Sequence, residues 1–284
     1  MFHLGYKLTD KQIAFILDIF YGGSSLRRIA SIFRHFFGLP ISPPTVLRRV
    51  VGWSELCHEA ILYFLKAGEI VLPSKAKIEF KLHLGNIWEI DETYIPFKGE
   101  QRPLILLRDL KTGFMFGKLT NSVTKSEIKE VLKMARSLTC SPPEEIRCDG
   151  LHAYAKPVKA VFNGQTKLSV HKREGRRGMN QAIEGTIRAF KDRIKRMLGL
   201  HSCRVSPIII RGSLLDYNFV RRSEALGGKT PAELAIKQKP LMNQWESWLF
   251  LIKMGKYYKA SIFARKMKSQ DYSNDQILLD RFFD

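Results

Sequence analysis

The chain has 284 residues, 45% hydrophobic and 26% charged, enough for one folded catalytic domain plus a small accessory domain. Forty-seven Lys and Arg against 27 Asp and Glu leave a net charge of +20, which favours a polyanionic partner, either nucleic acid or an anionic membrane surface. No apolar run of ~18 residues could span a bilayer, no charged-then-apolar leader opens the chain, and four cysteines without a CxxC pair argue against structural zinc.

Those cysteines, Cys57, Cys140, Cys148 and Cys203, are expected as small core residues in a reducing cytosol. Residues 1–54 are read as a helix–turn–helix domain. Ile13, Ile16, Leu17 and Phe20 recur at helical spacing up to Gly22-Gly23. A second helix, Leu26–Phe37, places Ile29, Ile32, Phe33 and Phe36 on one stripe and stops at Gly38-Leu39-Pro40. Ser42 is a natural N-cap for a third helix with prolines in its first turn, running to about Trp53. That helix carries Thr45, Arg48 and Arg49, and in this order of helices it is the one that enters a major groove. A small helical bundle with a basic surface would give the same pattern.

Residues 55–84 are expected as a helical connector ending at Pro73, and residues 85–235 as α/β. Strands are predicted at Ile87–Ile95, Pro103–Leu107 and Phe114–Leu119, joined by Lys98-Gly99 and Lys111-Thr112-Gly113 turns. A helix at Lys125–Leu138, a strand at Glu145–Cys148, a helix at His152–Phe162, a strand at Leu168–His171 and a long helix at Asn180–Leu198 follow. Three strands, helix, strand, helix, strand, helix is the order of the RNase H-like fold: a mixed five-stranded sheet with helices on both faces. Residues 236–284 read as a helical C-terminal tail.

Three acids stand out. Asp91 lies inside the apolar first strand, where a carboxylate is costly to bury unless a cation compensates it. Alternation puts Glu89, Asp91 and Thr93 on one face, and Trp88, Ile90, Glu92 and Tyr94 on the other. Asp149 ends a short strand before Gly150, a usual place for ligands in α/β sheets. Glu184 lies beside the buried stripe Ile183, Ile187, Phe190, Ile194, Met197, in line with Arg188, Lys191 and Lys195. On its own that glutamate reads better as an intrahelical partner of Arg188 on a solvated basic helix. From His171 to Arg211 eleven Lys and Arg face three acids, so a phosphate-binding stretch is expected there, with Lys172, Arg173, Arg176 and Arg177 as a basic loop. Asn180 is placed to cap the long helix. Trp88 and Tyr94 read as packing residues, and Asp109, Glu89 and Glu92 as competing acids, Asp109 at a turn and structural.

Asp91 and Asp149 are separated by 57 residues, and Asp149 and Glu184 by 34. With W-x-x-D-E-T-Y from Trp88, D-x-x-T-G from Asp109, D-G-x-x-A-Y from Asp149 and N-x-x-x-E from Asn180 before a basic helix ending M-L-G-L, the chain resembles DDE transposases and integrases. Within these it is similar to the IS-six type of prokaryotic insertion sequence, over roughly residues 10–235. It departs from that pattern after Pro240 and at Gly185-Thr186. The resemblance implies a DNA transposase with Asp91, Asp149 and Glu184 as catalytic metal ligands. Two Mg²⁺ ions, replaceable by Mn²⁺, would be shared so that Asp91 bridges both, Asp149 holds one and Glu184 the other. It also implies double-stranded DNA partners (element ends and target), a homo-oligomer, and a cytoplasmic, nucleoid-associated location with no membrane role. His171 matches a histidine seen in relatives and either reaches the scissile phosphate or fills a core or capping role. Two other readings stand beside this one: a domesticated, non-catalytic DNA-binding derivative, and a structure-specific RNase H-like nuclease.

Overall fold

The computed structural model describes residues 7–71, 77–149, 152–170, 181–196, 202–237 and 247–268. The chain forms two compact units, Met1–Phe80 with Gln238–Asp284, and Lys81–Lys237.

The first unit is helical. Helix α1 (Asp10–Tyr21) starts on a reciprocal capping box in which Thr9 accepts from the Gln12 amide and the Gln12 side chain accepts from the Thr9 amide. Helix α2 (Leu26–Phe37) is capped by Ser25 and stopped by Gly38 at φ 64°. It buries Ile29, Ala30 and Phe33, whereas Phe36, expected on the same stripe, is 82% exposed. Helix α3 (Pro43–Ala67) begins where expected, on Ser42, but runs through Trp53 to Gly68 at φ 74°. Its buried stripe of Val46, Val50, Ser54, Cys57, Ile61 and Phe64 continues without a residue able to stop it. The expected boundary at residue 54 therefore falls in mid-helix. The connector's second half is a short antiparallel ribbon, β1 (Glu69–Val71) and β2 (Lys77–Glu79), rather than helix.

The last described helix, α9 (Trp248–Lys268), belongs to this unit. It packs on α1 and α3. Trp248 stacks on Tyr21 at 5.1 Å, and the Tyr21 hydroxyl bonds Ser54 Oγ at 2.6 Å. Tyr257 stacks on Phe64, and Lys256 pairs with Asp10 at 2.7 Å. At Gly255 the two helices come so close that a Cβ would stand 3.1 Å from Leu56 Cγ. The expected tail is thus a core element of the N-terminal unit.

The second unit is built on a five-stranded sheet, in the order β5 (Met115–Leu119), β4 (Glu100–Asp109), β3 (Ile87–Phe97), β6 (Glu145–Cys148), β7 (Lys167–Val170). The first three strands pair antiparallel, and β6 and β7 join parallel. This mixed sheet is the RNase H-like arrangement expected from the element order. The β3–β4 hairpin turns on Lys98 and Gly99, both at positive φ, as a two-residue hairpin requires. Asp109 is buried and structural: it accepts from the Gly85 amide and from the Thr112 amide and hydroxyl.

Leu104, Ile105, Leu106 and Leu107 are all fully buried, because helices cover both faces. On one face lie α4 (Lys125–Leu138) and α5 (Ala155–Phe162), with Trp88 against Phe162. On the other lie α6 (Gln181–Arg196) and α7 (Val205–Leu215), the latter close over Gly117 through Leu214. The sequence reading had no helix at α7. It runs into a π-turn, Asp216–Val220, whose Asn218 amide bonds both backbone groups of Met115 and so occupies part of the β5 edge. Short helix α8 (Pro231–Ala235) follows a Thr230–Glu233 capping box. Of the cysteines, Cys57 and Cys148 are buried as expected, but Cys140 and Cys203 are exposed. They lie at a helix-to-strand junction and before α7, outside any apolar stripe.

Trp248→Ala is expected to cost about 3–5 kcal/mol, the usual loss for a fully buried aromatic. Urea denaturation followed by far-UV circular dichroism reads this directly. An unchanged midpoint would mean that α9 is dispensable to the N-terminal unit.

Candidate active site

Central strand β3 emerges between β4 and β6 with Asp91 and Glu92 just beyond its last pairing with β6, which ends at Glu89–Arg147. Asp149 follows β6 directly. Asp91, inside the central strand, and Asp149, just past the end of its neighbour β6, therefore meet where β6 leaves β3. Carboxylate oxygens of Asp91, Glu92 and Asp149 lie within 4.8 Å of one another. Asp91 and Glu92 are half-buried and Asp149 is exposed.

Like charges at this spacing, in a partly desolvated place, disfavour full ionisation. Burial, then Asp149 and Glu92, push the Asp91 carboxyl up to about 7. Its Oδ1 accepts from the Glu92 amide at 2.9 Å, a smaller opposing effect. The Tyr154 hydroxyl donates to Glu92. Burial, and then Glu92, hold the Tyr154 hydroxyl above its usual range, so it remains a donor. An all-oxygen donor set of this kind suits a hard divalent cation, which would also relieve the repulsion.

Glu184 stands at the first turn of α6, exposed. The structure joins Asp91 and Asp149 as expected, but the third carboxylate in their cluster is Glu92, with Glu184 outside it. Glu184 is still near enough to raise both Asp91 and Glu89. Its position follows from the helix: Ile183, Ile187, Phe190 and Ile194 face the sheet, which turns Glu184 outward. Glu92 shares the cluster despite strand alternation: the pairing of β3 with β6 has stopped at Glu89, and the Tyr154 hydroxyl meets the Glu92 carboxylate.

Glu89, fully buried, accepts from the Ile183 amide at 3.0 Å, one of the donors at a helix start that has no partner inside the helix. A carboxylate two residues from Asp91 thus fastens the start of α6 to β3. Burial raises Glu89, while Arg108 and the Ile183 amide oppose that. Alternation had shown Glu89 on the Asp91 face; its role as a cap from another element was not legible.

Among the other expected site residues, Arg188 and Lys191 are exposed on α6. His171, Lys172, Arg173, Arg176, Arg177 and Asn180 lie outside the described residues, as does the side chain of Lys195. Thr45 is engaged at the start of α3, bonding Ser42 Oγ at 3.0 Å and accepting from Arg48 at 3.1 Å. Arg48 is exposed and Arg49 half-buried on the same helix. Trp88 is packed, but Tyr94 is 48% exposed and is not a packing residue, since it lies on the opposite face from buried Thr93, Ile95 and Phe97, and that face is open at this end of β3.

Residues 85–219 match a family model described as a DDE domain. No curated protein matches the chain. Among solved structures, the chain is similar to the HTLV-2 integrase catalytic core domain in complex with magnesium, at 21% identity and TM-score 0.43, over 55% of this chain and 99% of that one. It is similar to the BIV integrase catalytic core domain at 14% identity and TM-score 0.41, over 54% and 95%. A simian T-cell lymphotropic virus intasome in complex with PP2A regulatory subunit B56 gamma matches at 19% and TM-score 0.44, over 57% and 60%.

The Asp91 shift sets a stability prediction. Its folded pKa lies above the unfolded value of 3.8, so the folded chain holds the extra proton and loses stability as pH rises from about 4 to about 7. Asp91→Asn is expected to raise the melting temperature of metal-free protein near pH 8 by about 2–4 °C. Mg²⁺ is expected to raise the wild-type value there and leave the variant unmoved. A variant that melts below the wild type in metal-free buffer near pH 8 contradicts the repulsion described here.

Proposed function

We propose that this chain, whose residues 85–219 form a DDE domain, is a DNA transposase that binds the terminal inverted repeats of a mobile element and catalyses Mg²⁺-dependent strand cleavage and strand transfer. The observation that carries the reading is the convergence of Asp91 and Asp149, distant in sequence, where β6 leaves the central strand, with carboxylate oxygens within 4.8 Å. Asp91, Asp149 and Glu184 would hold the cations, with Asp91 shared. Bound there, the ions supply an activated attacking oxygen and neutralise charge on the leaving one.

The chain's own residues do the positioning. Asp91 is fixed by the Glu92 amide and by its place in the central strand of the sheet. Tyr154 orients the Glu92 carboxylate beside it. Glu89 holds the first turn of α6, which carries Glu184, through the Ile183 amide. Exposed Arg188 and Lys191 extend along α6 where a phosphate backbone would lie. Lys172, Arg173, Arg176, Arg177 and Lys195 would add to that track. Thr45, Arg48 and Arg49 would read element ends from α3. Relatives that join two DNA ends give reason to expect a homo-oligomer.

The test is cleavage and joining of duplexes carrying the element's terminal repeat, with Mg²⁺ or Mn²⁺. Asp91→Asn, Asp149→Asn and Glu184→Gln are each expected to abolish cleavage while leaving duplex binding intact. Glu92→Gln should retain more activity than Asp149→Asn, and Tyr154→Phe should lower the rate about 10–100-fold, the scale for a residue supporting a ligand site. Binding by the wild type without cleavage under either metal would instead make the chain a non-catalytic DNA-binding protein. Cleavage without joining, and without preference for repeat ends, would make it a structure-specific nuclease.

A further inference from the structure

We infer that the cleft between α3 and α9 is a binding site for backbone phosphates of duplex DNA, so that the C-terminal helix supplies half of a DNA clamp. This rests on the DNA-binding reading above and adds to it a surface outside the helix–turn–helix sequence. A cavity of about 360 Å³ is lined by Arg48, Arg49, Gly52, Trp53 and Leu56 of α3 and by Lys256 and Lys259 of α9. Four cations therefore line one concavity, and Lys256 among them pairs with Asp10 at 2.7 Å. The apolar floor of Trp53 and Leu56 lowers the local dielectric and strengthens their attraction for an anion.

Two glycines shape this cleft. Gly255 lets α9 approach Leu56 closely, which brings the lysines of α9 alongside the arginines of α3. Gly52 is a different case. It sits inside α3, where glycine weakens a helix, and an added Cβ would meet nothing within 4 Å. No packing demand explains a glycine there. Open space over a bare backbone, ringed by cations, is what close approach of a phosphate needs. Arg48 is one turn from the Ser42-capped start of α3, the part of such a helix that meets base edges. A strand flanking that groove would present its phosphates to the neighbouring cleft. Lys256 and Lys259, in a segment whose sequence carries no DNA-binding pattern, thereby become contacts.

The test uses the full chain and a fluorescent random-sequence duplex, titrated over a range of salt. Gly52→Glu places a carboxylate in the cleft without a clash, and Gly52→Gln is its uncharged match. Both are expected to melt at or above the wild type. Gly52→Glu should weaken duplex binding at least about tenfold relative to Gly52→Gln. Lys259→Ala should lower the slope of log affinity against log salt by about one, and equally on specific and random DNA. Equal affinities for the two Gly52 variants, or an unchanged slope for Lys259→Ala, overturn the inference while a wild type that binds and cleaves keeps the transposase reading. A wild type that binds no duplex removes both. Inorganic phosphate that stabilises the wild type but not Gly52→Glu, with duplex affinity unaltered, would show a small-anion site and overturn the clamp.

Discussion

The second unit depends on holding negative charge where an apolar strand would exclude it. Asp91, Glu92 and Asp149 crowd within 4.8 Å where β6 leaves the central strand, and the partly buried Asp91 is driven towards its protonated form. Carboxylates left to themselves would move apart. They stay together because β3 is clamped between β4 and β6, with Ile90 fully buried beneath. Rigid apolar strands thus store a repulsion that a divalent cation can relieve. Stability given up at a site is recovered when its ligand binds.

The supporting residues follow the same logic. Tyr154 and Glu89 carry a donor and an acceptor to the two positions where the site would otherwise loosen. Tyr154 meets Glu92 from the segment after β6, and Glu89 meets the unpaired amide that opens α6. A buried acid that caps a helix start from another element is favourable on both counts, since the amide gains an acceptor and the carboxylate a donor. Glu89 and Asp91 share a face of one strand, so the cluster-forming and helix-holding positions are set by two residues of register. A one-residue slip would turn both away.

In the N-terminal unit the constraint is burial area. The 12-residue helices α1 and α2 leave part of the apolar side of the 25-residue α3 uncovered, and α9 covers it through Trp248, Tyr257 and the close approach at Gly255. Small helical domains have little core to spare, so recruiting a helix from the far end of the chain is a physical necessity rather than decoration. The same packing creates the basic cleft.

Local chemistry made much of this legible in the sequence. Ser42 with Pro43 starts a helix because its oxygen accepts an orphan amide and proline needs no donor there. Lys98-Gly99 closes a hairpin because the turn needs positive φ. Alternation in β3 put Asp91 with Glu89, and the strand order followed from the order of elements. Where the sequence misled, the cause was non-local. The helical stripe does run on past Trp53 in the sequence, but what it packs against, α9, lies almost two hundred residues away in the chain. Glu92 joins the acidic cluster only because β6 ends beside it, and Glu184 turns outward only because the isoleucines of α6 take the sheet. Residue type and spacing determined which groups can do chemistry and which elements carry them. Distances between those groups depend on where strands stop and which helix faces are covered, and only the tertiary structure decides that.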